Sequence, residues 1–147
     1  MFNQVINLNN TAYPFEVITD DDLNNINISY ETMEDYVYGY YDSYGEILIN
    51  EIYLDDTKCV EDTIRHELIH FITDKYFGFP YYEDNNDVFK SLLYWFTPNE
   101  AKLMYGKDST FKQSAIYEDV MNMKTFNEVL ECITWYIAMV EYESSLI

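Results

Sequence analysis

The chain has 147 residues, of which 48% are apolar and 18% are aromatic, enough to bury one sizeable core. Its 27 acidic residues outnumber the 8 basic ones and give a net charge of −19, which excludes direct binding to nucleic acid or to an anionic membrane surface. The sequence shows neither a signal peptide nor a run of about 18 apolar residues, so we expect a cytoplasmic protein.

The first part of the chain, residues 1–54, is predicted to be mostly β-structure. The run YPFEVI predicts a strand at 13–18, and the acidic, asparagine-rich TDDDLNNINISY predicts a loop that enters a short helix or strand. Residues 37–41 and 46–53 are rich in β-branched and aromatic side chains, which favour strands. The Asp-Ser-Tyr-Gly between them predicts a tight turn with Gly45 at positive φ, and therefore a β-hairpin.

A long helix is predicted over residues 55–77. Asp55 or Asp56 can cap its first turn, and Gly78 followed by Pro80 marks its end. Apolar residues spaced about four apart form a ridge that predicts contact with the core, namely Val60, Ile64, Leu68 and Phe71 or Ile72. The sequence therefore predicts a helix of about five turns whose start and end are both marked.

The rest of the chain is predicted to be helical. Residues 78–125 predict a helical insert or lid, in which VFKSLLYWF and NEAKLMYG each favour a helix. Residues 126–143 carry apolar side chains at helical spacing on several faces, which predicts a central, buried helix. The sequence as a whole predicts a single α+β domain with a small antiparallel or mixed sheet, a central helix and a helical C-terminal half.

Both histidines of the chain lie in the middle of the helix predicted over 55–77. His66 and His70 are four residues apart, and Glu67 directly follows the first. On a helix, residues i and i+4 lie on one face, so both imidazoles can reach one tetrahedral Zn²⁺. Glu67 projects beside them, where it can hold a zinc-bound water and act as general base. The spacing therefore predicts a zinc site with two histidine ligands and a catalytic glutamate.

Zinc needs a third protein ligand if its fourth position is kept for water, and the chain has no further histidine. Glu128 and Glu131, on the C-terminal helix, are the two candidates, and a metal would stabilise a carboxylate buried at either position. Cys59 and Cys132 do not form a C-x-x-C pair, so we expect two reduced thiols rather than metal ligands or a disulfide.

The stretch GYYDSYGEILINEIYLDDTKCVEDTIRHELIHFI, residues 39–72, resembles the zincin superfamily of metallopeptidases. More narrowly, it resembles the small phage and prophage zinc proteases of the ImmA/IrrE-like group. Gly39, Ile47 and Ile49 stand where that group has a glycine-containing strand and an I-x-I strand before its HExxH helix. The resemblance implies a minimal zincin fold in which the strand with Ile47 and Ile49 is the sheet edge that binds substrate as a further strand.

The same resemblance implies roles for the charged residues. His66 and His70 correspond to the zinc ligands, and Glu67 corresponds to the general base. An Asn-Glu pair at the start of the C-terminal helix matches the usual place of the third ligand, which favours Glu128 over Glu131. Zinc is therefore the expected cofactor, and a protein or peptide is the expected substrate.

The function predicted from these residues is that of a zinc-dependent peptidase that cleaves a specific intracellular protein. By family analogy it would be encoded by a phage or prophage and act in the host cytoplasm. The alternative is an acidic phage-type inhibitor, or nucleic-acid mimic, that binds a host defence or DNA-binding protein without catalysis. Its partner would be a basic nucleic-acid-binding protein, contacted by dispersed acidic side chains such as those at 20–22, 83–87 and 141–143.

Overall fold

The computed structural model describes residues 18–106, 109–112 and 114–146, so the strand predicted at 13–18 lies outside the described residues except for Ile18. The chain divides into two compact units, with the boundary between Glu83 and Asp84. The first unit holds a small mixed sheet and the histidine-bearing helix, and the described part of the second unit is helical. This content confirms the predicted α+β class.

The described part of the first unit begins with a short helix and a three-stranded sheet. Helix α1 spans Asp20–Asn25, and the strands are β1 (Asn27–Glu31), β2 (Gly39–Asp42) and β3 (Glu46–Asn50). Thr19 caps α1 through a capping box, as the acidic sequence that follows it allows. The strand order is β1-β3-β2, with β1 parallel and β2 antiparallel to β3, so the sheet is mixed.

The predicted hairpin is confirmed in β2 and β3. Tyr44 and Gly45 both have positive φ, 58° and 85°, at the turn. Gly45 has no room for a side chain, because a Cβ there would lie 2.4 Å from a backbone carbonyl oxygen before β1. β3 ends at Asn50 and not at 53 as predicted. The buried Asn50 side chain accepts a hydrogen bond from the N–H of Ile52, which favours the 3₁₀ turn at Glu51–Tyr53 over a longer strand.

The predicted position of the substrate-binding edge is wrong. β3 is the central strand of the described sheet, because it pairs with β1 on one side and with β2 on the other. Ile47 and Ile49 are buried in the core, so neither their side chains nor their backbone can receive an added strand. The parallel pairing of β1 with β3 joins residues far apart in the sequence, which local patterns do not reveal.

The predicted histidine-bearing helix is confirmed as α2, Thr57–Phe77. The Asp56 side chain caps its first turn by accepting a hydrogen bond from the N–H of Cys59. Gly78 ends it with φ 73°, a conformation that suits glycine. The core-facing ridge is also confirmed, since four apolar positions of the predicted set are buried, namely Val60, Ile64, Leu68 and Ile72.

Gly39 lets strand β2 approach helix α2 closely. A Cβ at Gly39 would lie 2.5 Å from Cγ2 of Thr63 on α2 and 2.9 Å from the carbonyl oxygen of Leu48 on β3. Both distances are shorter than non-bonded contacts allow, so any side chain at this position would push the strand and the helix apart. The glycine therefore fixes the distance between the sheet edge and the helix that carries the histidines.

The described part of the second unit consists of helices joined by short turns. The two predicted middle helices are confirmed as α3 (Asp87–Phe96) and α4 (Pro98–Tyr105). Two further short helices follow, α5 (Ser109–Lys112) and α6 (Ala115–Met121), and the C-terminal helix is α7 (Phe126–Ser145). α3 is the most buried of them and packs against α4 and α6. Within the residues described, none of the helices combines the length and apolar character that crossing a membrane requires.

The predicted central position of the C-terminal helix is wrong. In α7, which is described along its whole length, Val129 and Ile133 are the buried residues, while Trp135 is 78% exposed and Met139 57% exposed. α7 packs against α6, which has only 7 residues, whereas α7 has 20. Because a helix rises about 1.5 Å per residue, α6 can cover only a short part of α7. α3 takes the buried position instead.

Candidate metal centre

Helix α2 brings His66, Glu67 and His70 together in the first unit. One potential ligand atom from each of the three lies within 4.8 Å of the others. The two imidazole centroids are 4.9 Å apart, with their planes at 71°. Glu67 and His70 are only 5% and 6% exposed, while His66 is more accessible. The predicted ligand pair and the predicted base therefore form one compact cluster, in which His66 is the most accessible residue.

The orientation of His70 is set by the chain after the helix. Its Nδ1 lies 2.5 Å from the backbone carbonyl oxygen of Tyr82. A carbonyl oxygen only accepts, so Nδ1 carries the proton and the lone pair of the ring is on Nε2. Metal-binding histidines commonly donate their second ring nitrogen in this way, which fixes the tautomer and makes the ligand nitrogen more basic.

Tyr41 and Asp74 form one wall beside His70. The Tyr41 ring is nearly parallel to the imidazole, at 5° and a centroid distance of 6.3 Å. Its hydroxyl donates a hydrogen bond of 2.6 Å to the Asp74 carboxylate, one helical turn after His70. Burial, and then the hydrogen bond to Asp74, raise the pKa of Tyr41 well above its usual value. Tyr41 is therefore a neutral donor at physiological pH, and it links strand β2 to the histidine face of α2.

The donor set fits zinc. Two imidazole nitrogens and a carboxylate oxygen are ligand types that Zn²⁺ accepts. Zinc bonds of about 2.0–2.2 Å place neighbouring ligand atoms roughly 3–4 Å apart, and the potential ligand atoms of these three residues lie within 4.8 Å of one another. The residues present thus match the metal that the motif predicts.

The two candidates for the third ligand, Glu128 and Glu131, belong to the second unit. Glu128 opens α7, where its backbone N–H donates to Oγ1 of Thr125 and its carboxylate accepts from the same hydroxyl at 2.9 Å. Glu131 lies on the next turn and is exposed. The argument that a metal would stabilise a buried carboxylate therefore does not apply to it. The metal-compatible cluster among the described residues consists of His66, Glu67 and His70. The assignment of Glu128, with Glu131 as alternative, therefore stays a prediction.

Sequence reasoning missed three groups around His70. Asp74 was detectable in principle, because it lies four residues after His70 and hence on the same helix face. Tyr41 was one of sixteen tyrosines, with nothing local to single it out. The Tyr82 carbonyl is a backbone group, so no side-chain pattern can announce it. The two cysteines are free thiols, in agreement with the prediction.

No protein-family model matches this chain, and no curated protein or solved structure is similar to it. The resemblance to zincins accordingly stays a prediction supported by the motif and its geometry.

Proposed function

We propose that this protein is a zinc-dependent peptidase that cleaves a specific intracellular protein. The observation that carries the proposal is the cluster of His66, Glu67 and His70, with the tautomer of His70 set by the Tyr82 carbonyl. Two neighbouring imidazoles beside a buried carboxylate are groups that metal-assisted hydrolysis uses. Cytoplasmic action, and a phage or prophage origin, are parts of the same proposal and rest on the sequence.

In this proposal the chain's own residues hold and move a proton. His66 and His70 would hold the metal, and Glu128 stays the third ligand that the sequence favours. Bound there, zinc would supply a Lewis acid for the scissile carbonyl and for a water molecule. Glu67 takes the proton from the attacking water and delivers it to the departing amide nitrogen. One water molecule is consumed, and the peptide bond is replaced by a carboxylate and an amine.

The outer edge of β2 is the place where a substrate strand would add. The Asn50 N–H donates to the Tyr38 carbonyl, which marks these two residues as a hydrogen-bonded pair. Because such pairs alternate along an antiparallel ladder, Gly39 and Tyr41 direct their backbone groups to the outer side of β2. Tyr41 also contacts His70. An added strand would therefore run beside the histidine face of α2.

The test is a comparison of Glu67→Gln with Glu61→Gln, an acidic position on the same helix outside the cluster. Each protein is loaded with zinc and incubated with a proteome-derived peptide library and with a bacterial lysate, and new N-termini are mapped by mass spectrometry. We expect cleavage by the wild type and by Glu61→Gln, and a loss of about 10²–10⁴-fold in Glu67→Gln. Absence of any cleavage that depends on Glu67 would contradict the proposal.

The alternative, binding of a basic protein without catalysis, is supported by the net charge of −19. An acidic surface speeds association with a basic partner, and added salt weakens that association. The two functions are separable, because Glu67→Gln would leave such binding unchanged while abolishing hydrolysis. Inhibition of a nucleic-acid-binding protein that persists in Glu67→Gln would therefore favour the alternative.

A further inference from the structure

The C-terminal half of α7 exposes a continuous apolar stripe. Trp135, Met139 and Tyr142 follow one another at spacings of four and three, which places them on one face of the helix, and Leu146, the C-cap residue, comes four residues after Tyr142. They are 78%, 57%, 64% and 68% exposed. Large apolar side chains aligned in this way are uncommon on a surface that contacts only water, and they mark interaction sites.

The stripe continues into a groove within the second unit. The groove lies between α6 and α7 and has a volume of about 680 Å³. Its lining includes the apolar side chains of Ile116, Trp135 and Met139, and it also includes three carboxylates, Asp119, Glu128 and Glu131. An apolar floor with acidic groups is suited to a ligand that is apolar on one face and positively charged beside it.

The charges around the stripe have one sign. Residues 114–147 contain six acidic residues and a single basic one, Lys124, and α7 itself has no Lys or Arg. A second copy of the chain laid on this face would oppose acidic side chains with acidic side chains. Like charges that flank an apolar helical seam disfavour pairing. The charge distribution thus argues against a homodimer and for a partner rich in Lys and Arg.

We propose that the groove and stripe formed by α6 and α7 dock a positively charged amphipathic helix of another protein. The apolar side chains of that helix, at three- and four-residue spacing, pack on Trp135, Met139 and Tyr142. Its Lys and Arg side chains lie over Asp119 and Glu131. Helix-in-groove recognition of this kind uses anchors at i, i+3, i+4 and i+7, which is the spacing that the stripe offers. The inference does not depend on the peptidase activity.

The probe is a synthetic three-heptad peptide with Leu at the a and d positions and Lys at the e and g positions. A second peptide has the same composition, reordered so that the Leu residues do not share a helical face. Both are titrated into the full-length protein by calorimetry. We expect the amphipathic peptide to bind about tenfold more tightly than the reordered one, because only the former presents an apolar face. Equal affinities of the two peptides would show that net charge alone drives the binding, and this result would overturn the proposal.

Two pairs of variants locate the binding. Trp135→Ala with Met139→Ala removes the anchors, and Leu103→Ala with Met104→Ala removes exposed apolar side chains on α4, outside the groove. We expect the first pair to weaken binding by about tenfold or more, and the second pair to leave it unchanged. All four positions are exposed, so circular dichroism should show an intact fold in both proteins. Equal weakening by both pairs, or by neither, would contradict the assigned place.

The charge contribution is tested at neighbouring positions of α6. Asp119 lines the groove, whereas Glu118 is exposed but does not line it. Asp119→Asn should weaken binding of the amphipathic peptide several-fold. Glu118→Gln should change the affinity less, although both substitutions remove one negative charge. Analytical ultracentrifugation completes the test: a concentration-dependent dimer that disappears in the Trp135→Ala, Met139→Ala protein would identify a second copy as the occupant and overturn the proposal.

Discussion

Helices α2 and α7 have nearly the same length, 21 and 20 residues, but opposite relations between composition and burial. α2 buries polar side chains, among them Glu67 and His70. α7 exposes large apolar side chains, of which Trp135 is the most exposed. The difference lies in what is available to cover each helix, since α2 packs on the sheet and α7 on the short α6. Both are departures from the usual distribution, and the two proposals rest on them: chemistry at α2 and recognition at α7.

The largest stability difference is expected between truncations in the two helices. Ile64→Ala in α2 removes a fully buried side chain and should lower the free energy of unfolding by about 2–5 kcal/mol. Met139→Ala in α7 removes a side chain that is mostly in water and should change it by less than about 0.5 kcal/mol. Urea unfolding of both proteins measures the contrast. Similar losses would show that another part of the molecule covers α7 in solution.

A smaller loss is expected where β2 meets α2. Gly39→Ala places a methyl group against Thr63 and Leu48 and should cost about 1–3 kcal/mol of unfolding free energy. Thr63→Ser removes the clashing Cγ2 and keeps the hydroxyl that donates to the Cys59 carbonyl. The double variant should therefore recover part of the loss, measured by the same unfolding experiment, with Thr63→Ser alone as control. No loss in Gly39→Ala would mean that β2 lies farther from α2.

A loss at the lower end of that range is expected at Tyr41. Tyr41→Phe removes the hydrogen bond to Asp74 and should cost about 1 kcal/mol of stability near neutral pH. Because folding raises the pKa of Tyr41, the unfolded chain loses its proton first, near the ordinary value of 10.0. The stabilisation is fully present below that pH and declines as pH rises from there toward the folded-state pKa.

Unfolding curves from pH 8 to 11 measure this dependence. The difference in stability between the wild type and Tyr41→Phe should shrink above about pH 10, because only the wild type carries the Tyr41 hydroxyl. Taking the difference removes the contribution of the other tyrosines, which both proteins share. A difference that stays constant over this range would show that Tyr41 titrates alike in the folded and unfolded chains, and one that grows would show that folding lowers its pKa.

Local features of the fold were predictable, and long-range ones were not. The β-hairpin, the cap at Asp56 and the stop at Gly78 are encoded by neighbouring residues, and so is the spacing of His66 and His70. The place of β3 depends on its pairing with β1, and two buried isoleucines fit an edge strand as well as a central one. Likewise, helical spacing in α7 shows which residues share a face but not whether anything covers that face.

The groups that surround His70 escaped prediction for a similar reason. The Tyr82 carbonyl reaches His70 because Gly78 ends α2 and the chain turns back within a few residues. A backbone acceptor can be supplied by any residue type, so the sequence carries no signal for it. The proximity of His66 and His70 was predictable, because helix geometry alone brings residues four apart to one face.

The most direct test of the central claim is the metal content of untagged protein purified without added zinc, measured by mass spectrometry of the dissolved metal. His66→Ala, with one ligand removed, and Glu61→Gln, altered outside the cluster, are measured beside it. We expect about one zinc per chain in the wild type and in Glu61→Gln, and none in His66→Ala. A wild type that holds no zinc even after incubation with it would contradict a zinc site at His66 and His70, and with it the proposed hydrolysis.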